Sequence, residues 1–223
     1  GILEKRFATK GSVKSDSFIA LNNEAGYQPD LLRGGITWKM PFQFKVHLAP
    51  LVTIPQGQIG YVFARDGVPL SPTQALARVV PEGKNFQVVD AFLKNSGQRG
   101  PQREILREGT YAINLVQFVV FTEDGIYYLP INREEEAVFK RMANLIRERD
   151  GFRPVVIKGT DDLVGIITVH EGPSLAQDEI IAPAIGNNVK DPNTYHNNFQ
   201  DVERFLEAGG RRALAGMGGV PEA

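Results

Sequence analysis

The sequence predicts an α+β fold: mainly antiparallel β in tandem β-rich repeat units, with short helices and one longer amphipathic helix over 133–150. Three observations carry that reading. First, "LLRGGITWKMPFQFKV" (Leu31 to Val46) returns as "ILREGTYAINLVQFVV" (Ile105 to Val120) without a gap. The two match at Leu32/Leu106, Arg33/Arg107, Gly35/Gly109, Gln43/Gln117, Phe44/Phe118 and Val46/Val120. Second, "IGYVFARDGVPL" (from Ile59) returns as "VGIITVHEGPSL" (from Val164), and "NFQVVDAFLKNSGQR" (from Asn85) as "NFQDVERFLEAGGRR" (from Asn198). Self-similarity of this length marks modules that stack and cover one another. Third, every even position from Ile36 to Leu48 is apolar, the period-two pattern of extended chain with one wet face.

The elements follow in chain order. Residues 1–50 read as a divergent first β unit, 51–131 as a complete unit, and 132–223 as a linking helix plus a truncated further unit with a flexible tail. In the first unit the alternation predicts a strand from Ile36 to Leu48, with an edge or break at Pro41, which has no N–H to give a ladder. Trp38 falls on the apolar parity with Phe42 and Phe44 and is expected in the core. In the second unit both parities around Leu115 are apolar, which predicts a more central strand, with a bulge as one way to switch faces. "RDG" (Arg65 to Gly67) and "EDG" (Glu123 to Gly125) read as hairpin turns. Phe86, Val89, Phe92 and Leu93, and likewise Phe199, Val202, Phe205 and Leu206, share one helical face, with Gly97 and Gly209–Gly210 as helix stops. From Arg133 to Arg149 a stripe of Val138, Met142, Leu145 and Ile146 predicts the longer helix, acidic at its start and basic at its end.

Composition narrows the function classes. The chain has 223 residues, a net charge of −1 and no cysteine. That charge favours neither nucleic acid nor an anionic membrane through bulk electrostatics. The lack of cysteine removes disulfides, thiolate metal sites and cysteine nucleophiles. No apolar run is long enough to span a bilayer. The chain begins without Met in what reads as the middle of a strand, as a fragment or processed product would.

Few residues suggest chemistry. His47, His170 and His196 lack ligand spacing and read as surface histidines, so no metal site is expected. His170 and Glu171 in "VHEG" sit at a turn on opposite faces. Asp161 and Asp162 read as solvated rather than as a catalytic dyad. No P-loop, GxSxG, HExxH or dinucleotide fingerprint occurs. The expectation is a chain without enzymatic activity, cofactor or catalytic residue. The polar pieces of most interest are "GQRGPQR" and "GGRR", whose Arg99, Arg103, Arg211 and Arg212 are candidate contacts for a lipid headgroup or a partner's carboxylate.

At "LRGGITWKMPFQFKVHLAPLVTIPQGQIGYVFARDG" the sequence resembles the flotillin-like branch of the SPFH (band 7) family. Gly35, the alternating Ile36 to Lys39 and the Met40-Pro41-Phe42 corner match the band 7 signature, and "GQRGPQREILREGTYAIN" and "FQDVERFLEAGGRR" resemble repeated segments of the same proteins. The resemblance covers Gly1 to Arg212. It implies a non-enzymatic, membrane-associated scaffold that self-associates into homo-oligomers. Bilayer contact would come through parts outside this chain, and nucleic acid would not be a partner. The expected "EGTY"-type strand is replaced after Arg212 by "ALAGMGG". Two alternatives remain: a shell-forming, vault-like β repeat, whose unit is shorter than most intervals here, and a small-molecule or glycan-binding β module, for which no aromatic platform is visible.

Overall fold

A computed structural model describes residues 1–13, 17–72, 74–160 and 163–212. The expected flexible tail and the Asp161–Asp162 pair lie outside these. The chain divides into two compact units: Gly1–Leu70 with Leu76–Pro154, and Ser71–Ala75 with Val155–Ala223. The boundary near Pro154 falls after the long helix rather than before it. Residues 1–50 and 51–131 share one unit.

The first unit is α+β, with antiparallel sheets and short helices as the sequence predicts. Strands β1 (Ile2–Lys5), β2 (Gly26–Leu31) and β3 (Phe44–His47) form a sheet in the order β2-β1-β3. Strands β4 (Val52–Ile54) and β7 (Gly109–Tyr111) pair with each other. Strands β5 (Tyr61–Ala64), β6 (Gly100–Pro101), β8 (Phe118–Phe121) and β9 (Ile126–Tyr127) form a sheet in the order β6-β5-β8-β9. Between β5 and β6 lie a single 3₁₀ turn, Pro81–Gly83, and helix α1, Val89–Lys94.

The repeat written in the sequence is also a repeat of backbone geometry. In the first copy Leu3 faces Val46 and Lys5 faces both Phe44 and Gly26. In the second, Val62 faces Val120, and Ala64 faces both Phe118 and Gly100. The hydrogen bonds outside the strands recur as well. Gly1 and Leu32 exchange two backbone bonds, at 2.7 and 2.8 Å, as Gly60 and Leu106 do at 2.8 and 2.9 Å. Arg6 N–H donates to the Gln43 carbonyl, and Arg65 N–H to that of Gln117, both at 2.8 Å. The Gln28 side chain donates to the Glu24 and Gly26 carbonyls, as Gln102 does to those of Gln98 and Gly100. Residues that match in sequence therefore match in what their backbones bond.

The core lies in the second copy. All four residues of β8 are buried, as expected of a central strand. Phe118 meets Phe86 and Phe92 edge to face, with ring centroids 5.1 Å apart in both pairs, the arrangement that the aromatic quadrupole favours. The face switch near Leu115 is a turn closed by Phe118 N–H on the Asn114 carbonyl (2.9 Å), rather than a bulge. The first copy repeats it, with Phe44 N–H on the Met40 carbonyl (3.0 Å), so the break expected at Pro41 is this turn.

Four expectations change. The strand expected over Ile36 to Leu48 reduces to Phe44–His47, because residues 36–43 find no strand to pair with. Trp38 is accordingly no core anchor but 79% exposed. The long helix, α2, spans Arg133–Arg147, and its buried face is Phe139 and Ala143, flanked by Met142 and Ile146. Val138 and Leu145 face outward; the stripe that packs on Val119 and Phe121 starts one residue later than the sequence suggested. Finally, "RDG" makes no hairpin. Asp66 turns inward and its carboxylate accepts from Ser17 Oγ (2.5 Å), Phe18 N–H (2.9 Å) and Ile19 N–H (3.1 Å). "EDG" does turn β8 into β9, with Thr122 N–H on the Gly125 carbonyl (2.9 Å).

The second unit carries a copy of the α1 module. Helix α3 spans Val202–Glu207. Before it, Asn197, Asn198 and Phe199 take φ of 50°, 52° and 65°, as Lys84, Asn85 and Phe86 take 48°, 54° and 63° before α1. After it, Gly210 N–H donates to the Phe205 carbonyl (2.9 Å), as Gly97 N–H does to Phe92 (2.8 Å). Both glycines lie flat on the preceding ring. A Cβ on Gly97 would stand 2.4 Å from Phe92 Cε1, and one on Gly210 would stand 2.3 Å from Phe205 Cε1. Phe92 is wedged between Phe86 and Phe118 and cannot swing aside. Gly97→Ala is expected to destabilise the first unit by about 1–3 kcal/mol, read as a lower urea midpoint with the slope unchanged.

Candidate functional site

The residues that point to function are apolar side chains left uncovered where a copy lacks a strand. In the second copy, β4 and β7 cover each other, with Val52 opposite Tyr111, Thr53 opposite Thr110 and Ile54 opposite Gly109. Val52 and Ile54 are buried as a result. The first copy has the counterpart of β7 at Gly35–Thr37, by the match of Gly35 to Gly109, but among the described residues no strand pairs with it. Ile36 is fully exposed, and Met40 and Phe42 stand in solvent beside Trp38.

The second unit presents the opposite half. Val155–Ile157 is the counterpart of β4, and one contact identifies the register. A Cβ on Gly60 would meet Ile54 Cδ1 at 2.6 Å, and one on Gly165 would meet Ile157 Cδ1 at 2.4 Å. Ile157 thus stands where Ile54 does, but Val155 is 90% exposed and Val156 65%. Ile166 and Ile167, the counterparts of Tyr61 and Val62 in β5, also carry no ladder, and Ile166 is exposed. Exposed apolar residues are ordinary when scattered. Here Val155, Met40 and Phe42 fall on positions that the second copy buries, as Val52, Asn114 and Val116, whereas Ile36 and Val156 match Thr110 and Thr53, which are exposed there too.

The polar candidates are placed separately. Arg99 is exposed on the loop after α1, and its N–H donates to the Val68 carbonyl (3.0 Å). Arg103 is half-buried, and its N–H donates to the Ala77 carbonyl (3.2 Å). In the second unit the Arg211 guanidinium pairs with Glu179. Arg212 donates from Nε (3.2 Å) and Nη2 (3.0 Å) to Ser174 Oγ. Arg212 also lines a cleft of about 530 Å³ with Glu171, Ser174 and Leu206. Arg211 and Arg212 are thus committed to partners in their own unit; Arg99 and Arg212 are the exposed members of the four.

Two polar centres were not legible as such. Arg65, within "RDG", is a buried cation. It donates to the carbonyls of Val116 (3.2 Å) and Leu129 (2.9 Å), pairs with Glu135 at 3.2 Å, and lies against the rings of Phe139 and Tyr128. Burial lowers its pKa, against the pull of Glu135. It lines a small apolar recess of about 300 Å³ with Phe18, Phe63 and Val138. The equivalent Arg6 is exposed, so the repeat alone gave no sign of this role. His196, expected at the surface, is buried instead. Its Nδ1 accepts from Phe199 N–H (2.8 Å), its Nε2 lies 2.9 Å from the Ile185 carbonyl, and its ring stacks on Phe199 at 4.5 Å. The acceptor role at Nδ1 fixes the Nε2–H tautomer. Among the described residues no three His, Asp or Glu side chains gather as a metal site, and no helix is long and apolar enough to cross a membrane.

Comparison with known proteins found no matching family model, no matching curated protein and no matching solved structure.

Proposed function

We propose that this chain is the repeated region of a flotillin-like SPFH protein. It would act as a non-enzymatic scaffold that self-associates, with membrane contact supplied by other parts of its parent protein. One observation carries the reading. The chain is built of copies of one β unit, and Ile36, Trp38, Met40 and Phe42 of the first copy and Val155, Val156 and Ile157 of the second unit are exposed apolar side chains on extended segments. Uncovered, flat, apolar strand edges are templates for further pairing, and proteins that do not use them blunt them with charge, proline or a bulge. Lys39 and Pro41 blunt the later half of the segment Ile36–Phe42, and Ile36–Trp38 carries no such device. The resemblance of "LRGGITWKMPFQFKV" to the band 7 signature supplies the class. The exposed Arg99 is the best placed of the four arginines to meet a headgroup or a carboxylate.

Light scattering across a concentration series tests the assembly, and flotation with anionic liposomes tests membrane contact for a longer form carrying its flanking sequence. Oligomers that grow with concentration, and flotation of the longer form, are the expected results. A strict monomer that ignores liposomes in both forms would overturn the proposal.

A further inference from the structure

We infer that the helix module of the second unit is an acid-sensitive latch. A proton taken up by His196 opens it, while the matching module of the first unit stays closed. The latch belongs to the fold of the second unit and stands apart from the scaffold reading.

The two modules are built alike but differ in what holds the turn before the helix. Asp201 N–H donates to the His196 carbonyl (3.0 Å), as Val88 N–H donates to that of Gly83 (3.0 Å), so His196 stands where the first module has a glycine. The first module holds its left-handed lead-in by packing, with Phe86 against Phe92 and Phe118. The second holds it through the imidazole: Nδ1 accepts from Phe199 N–H (2.8 Å), and Nε2–H donates to the Ile185 carbonyl (2.9 Å). Phe199 is the last of three consecutive residues at positive φ, a backbone that side chains other than glycine enter at a cost. The ring has no room to turn aside. The rings of Phe199 and Phe205 lie 4.5 and 5.4 Å from it, centroid to centroid, and a Cβ on Gly186 would stand 2.6 Å from its Cδ2.

Neutral imidazole serves this site and imidazolium does not. A second ring proton goes to Nδ1 and turns the acceptor into a donor facing the N–H of Phe199. The cation so formed is buried, which is costly without a carboxylate partner. The charged groups of the module supply none. Asp201 accepts from Arg204 N–H and pairs with its guanidinium, and Asp191 accepts from Thr194 Oγ1 and Asn193 N–H. Neither these nor Lys190, Tyr195, Glu203 or Glu207 bonds to the ring. The closed module is therefore favoured at neutral and alkaline pH. It is lost as pH falls through the range in which a free imidazole titrates, about pH 6.5. Opening uncovers Phe199 and Phe205.

Amide hydrogen exchange of the full chain, corrected for the intrinsic pH dependence of exchange, tests the latch between about pH 7.5 and pH 5, above the usual carboxylate range of about 3.9–4.3. Protection of the Phe205 and Gly210 amides is expected to fall about tenfold or more, while that of their counterparts Phe92 and Gly97 holds. His170→Gln, at the exposed histidine of this unit, should keep the fall. His196→Asn, whose side-chain oxygen can still accept from Phe199 N–H, should abolish it. The ring nitrogens, followed by NMR in the unaltered chain, should pass from the Nε2–H tautomer to the doubly protonated form over the same interval. Equal protection at both ends of the range would overturn the inference, as would an equal fall in both modules or a fall that persists in a folded His196→Asn. A ring that stays neutral while protection falls would overturn it too, and that measurement decides the matter even where His196→Asn does not fold.

Discussion

Phe92→Ala is expected to lower the stability of the first unit by about 3–5 kcal/mol, the usual cost of emptying a buried aromatic site. Phe92 is fully buried and holds the packing together from two sides. Its ring meets Phe86 and Phe118, and its backbone anchors the stop of α1 through Gly97. The cavity cannot collapse easily, because Phe118 belongs to the central strand and Phe86 is held in a left-handed backbone conformation. The matching change, Phe205→Ala, acts on the second unit. There the ring meets Phe199 and His196. Urea unfolding followed by far-UV circular dichroism should register the first change, and hydrogen exchange at residues 196–210 the second. A loss below about 1 kcal/mol for Phe92→Ala would mean that the site refills, against the packing described.

Removing Glu135 should be nearly as costly. Among the described residues its carboxylate is the one that pairs with Arg65, whose side chain is almost wholly buried. Glu135→Ala leaves that cation in the interior with two carbonyls and two ring faces, and a loss of about 3–5 kcal/mol is expected for breaking a buried pair from one side. Part of the pair is within reach of solvent, because Glu135 is about a quarter exposed, so the lower end of that range is the better figure. Arg65→Met with Glu135→Leu should recover much of the loss, since an apolar pair of similar volume removes the desolvation penalty. Melting temperatures of the single and double variants form the cycle. A double variant no more stable than Glu135→Ala alone would show that the site needs the guanidinium's bonds to Val116 and Leu129, not merely its neutralisation.

Much of the fold was legible because it is repeated. The match of Leu32 to Leu106 and of Phe44 to Phe118 named residues whose backbones turn out to bond alike, and the "NFQ…FL" match named two helices with the same left-handed lead-in and the same glycine stop. Local pattern also gave α2 and the central place of β8. Period-two alternation failed at Ile36 to Phe42. Alternation reports which face a strand would bury, not whether a neighbouring strand exists to pair with it, and among the described residues none does. The same limit moved Trp38 from the core to the surface. The α2 stripe shifted because apolar residues stand on two adjacent faces of that helix, and only the sheet it packs on chooses between them. Arg65, Asp66 and His196 were read by their neighbours in sequence as turn and loop residues. Their roles depend on Glu135, on the backbone of Phe18 and Ile19, and on the Ile185 carbonyl, all distant in the chain. The candidate assembly surface was half legible: Ile36 to Phe42 stood out as the apolar side of an alternating segment, with Trp38 expected in the core.

Amide hydrogen exchange at Ile36–Trp38 and Val155–Ile157, measured across a dilution series of the full chain, tests the central claim most directly. Free strands exchange at the rate of unstructured chain, and paired strands are protected. Self-assembly through these edges predicts that both segments gain protection together as concentration rises, while β8 is protected throughout. Fast exchange of both segments at concentrations where the chain is oligomeric would contradict it.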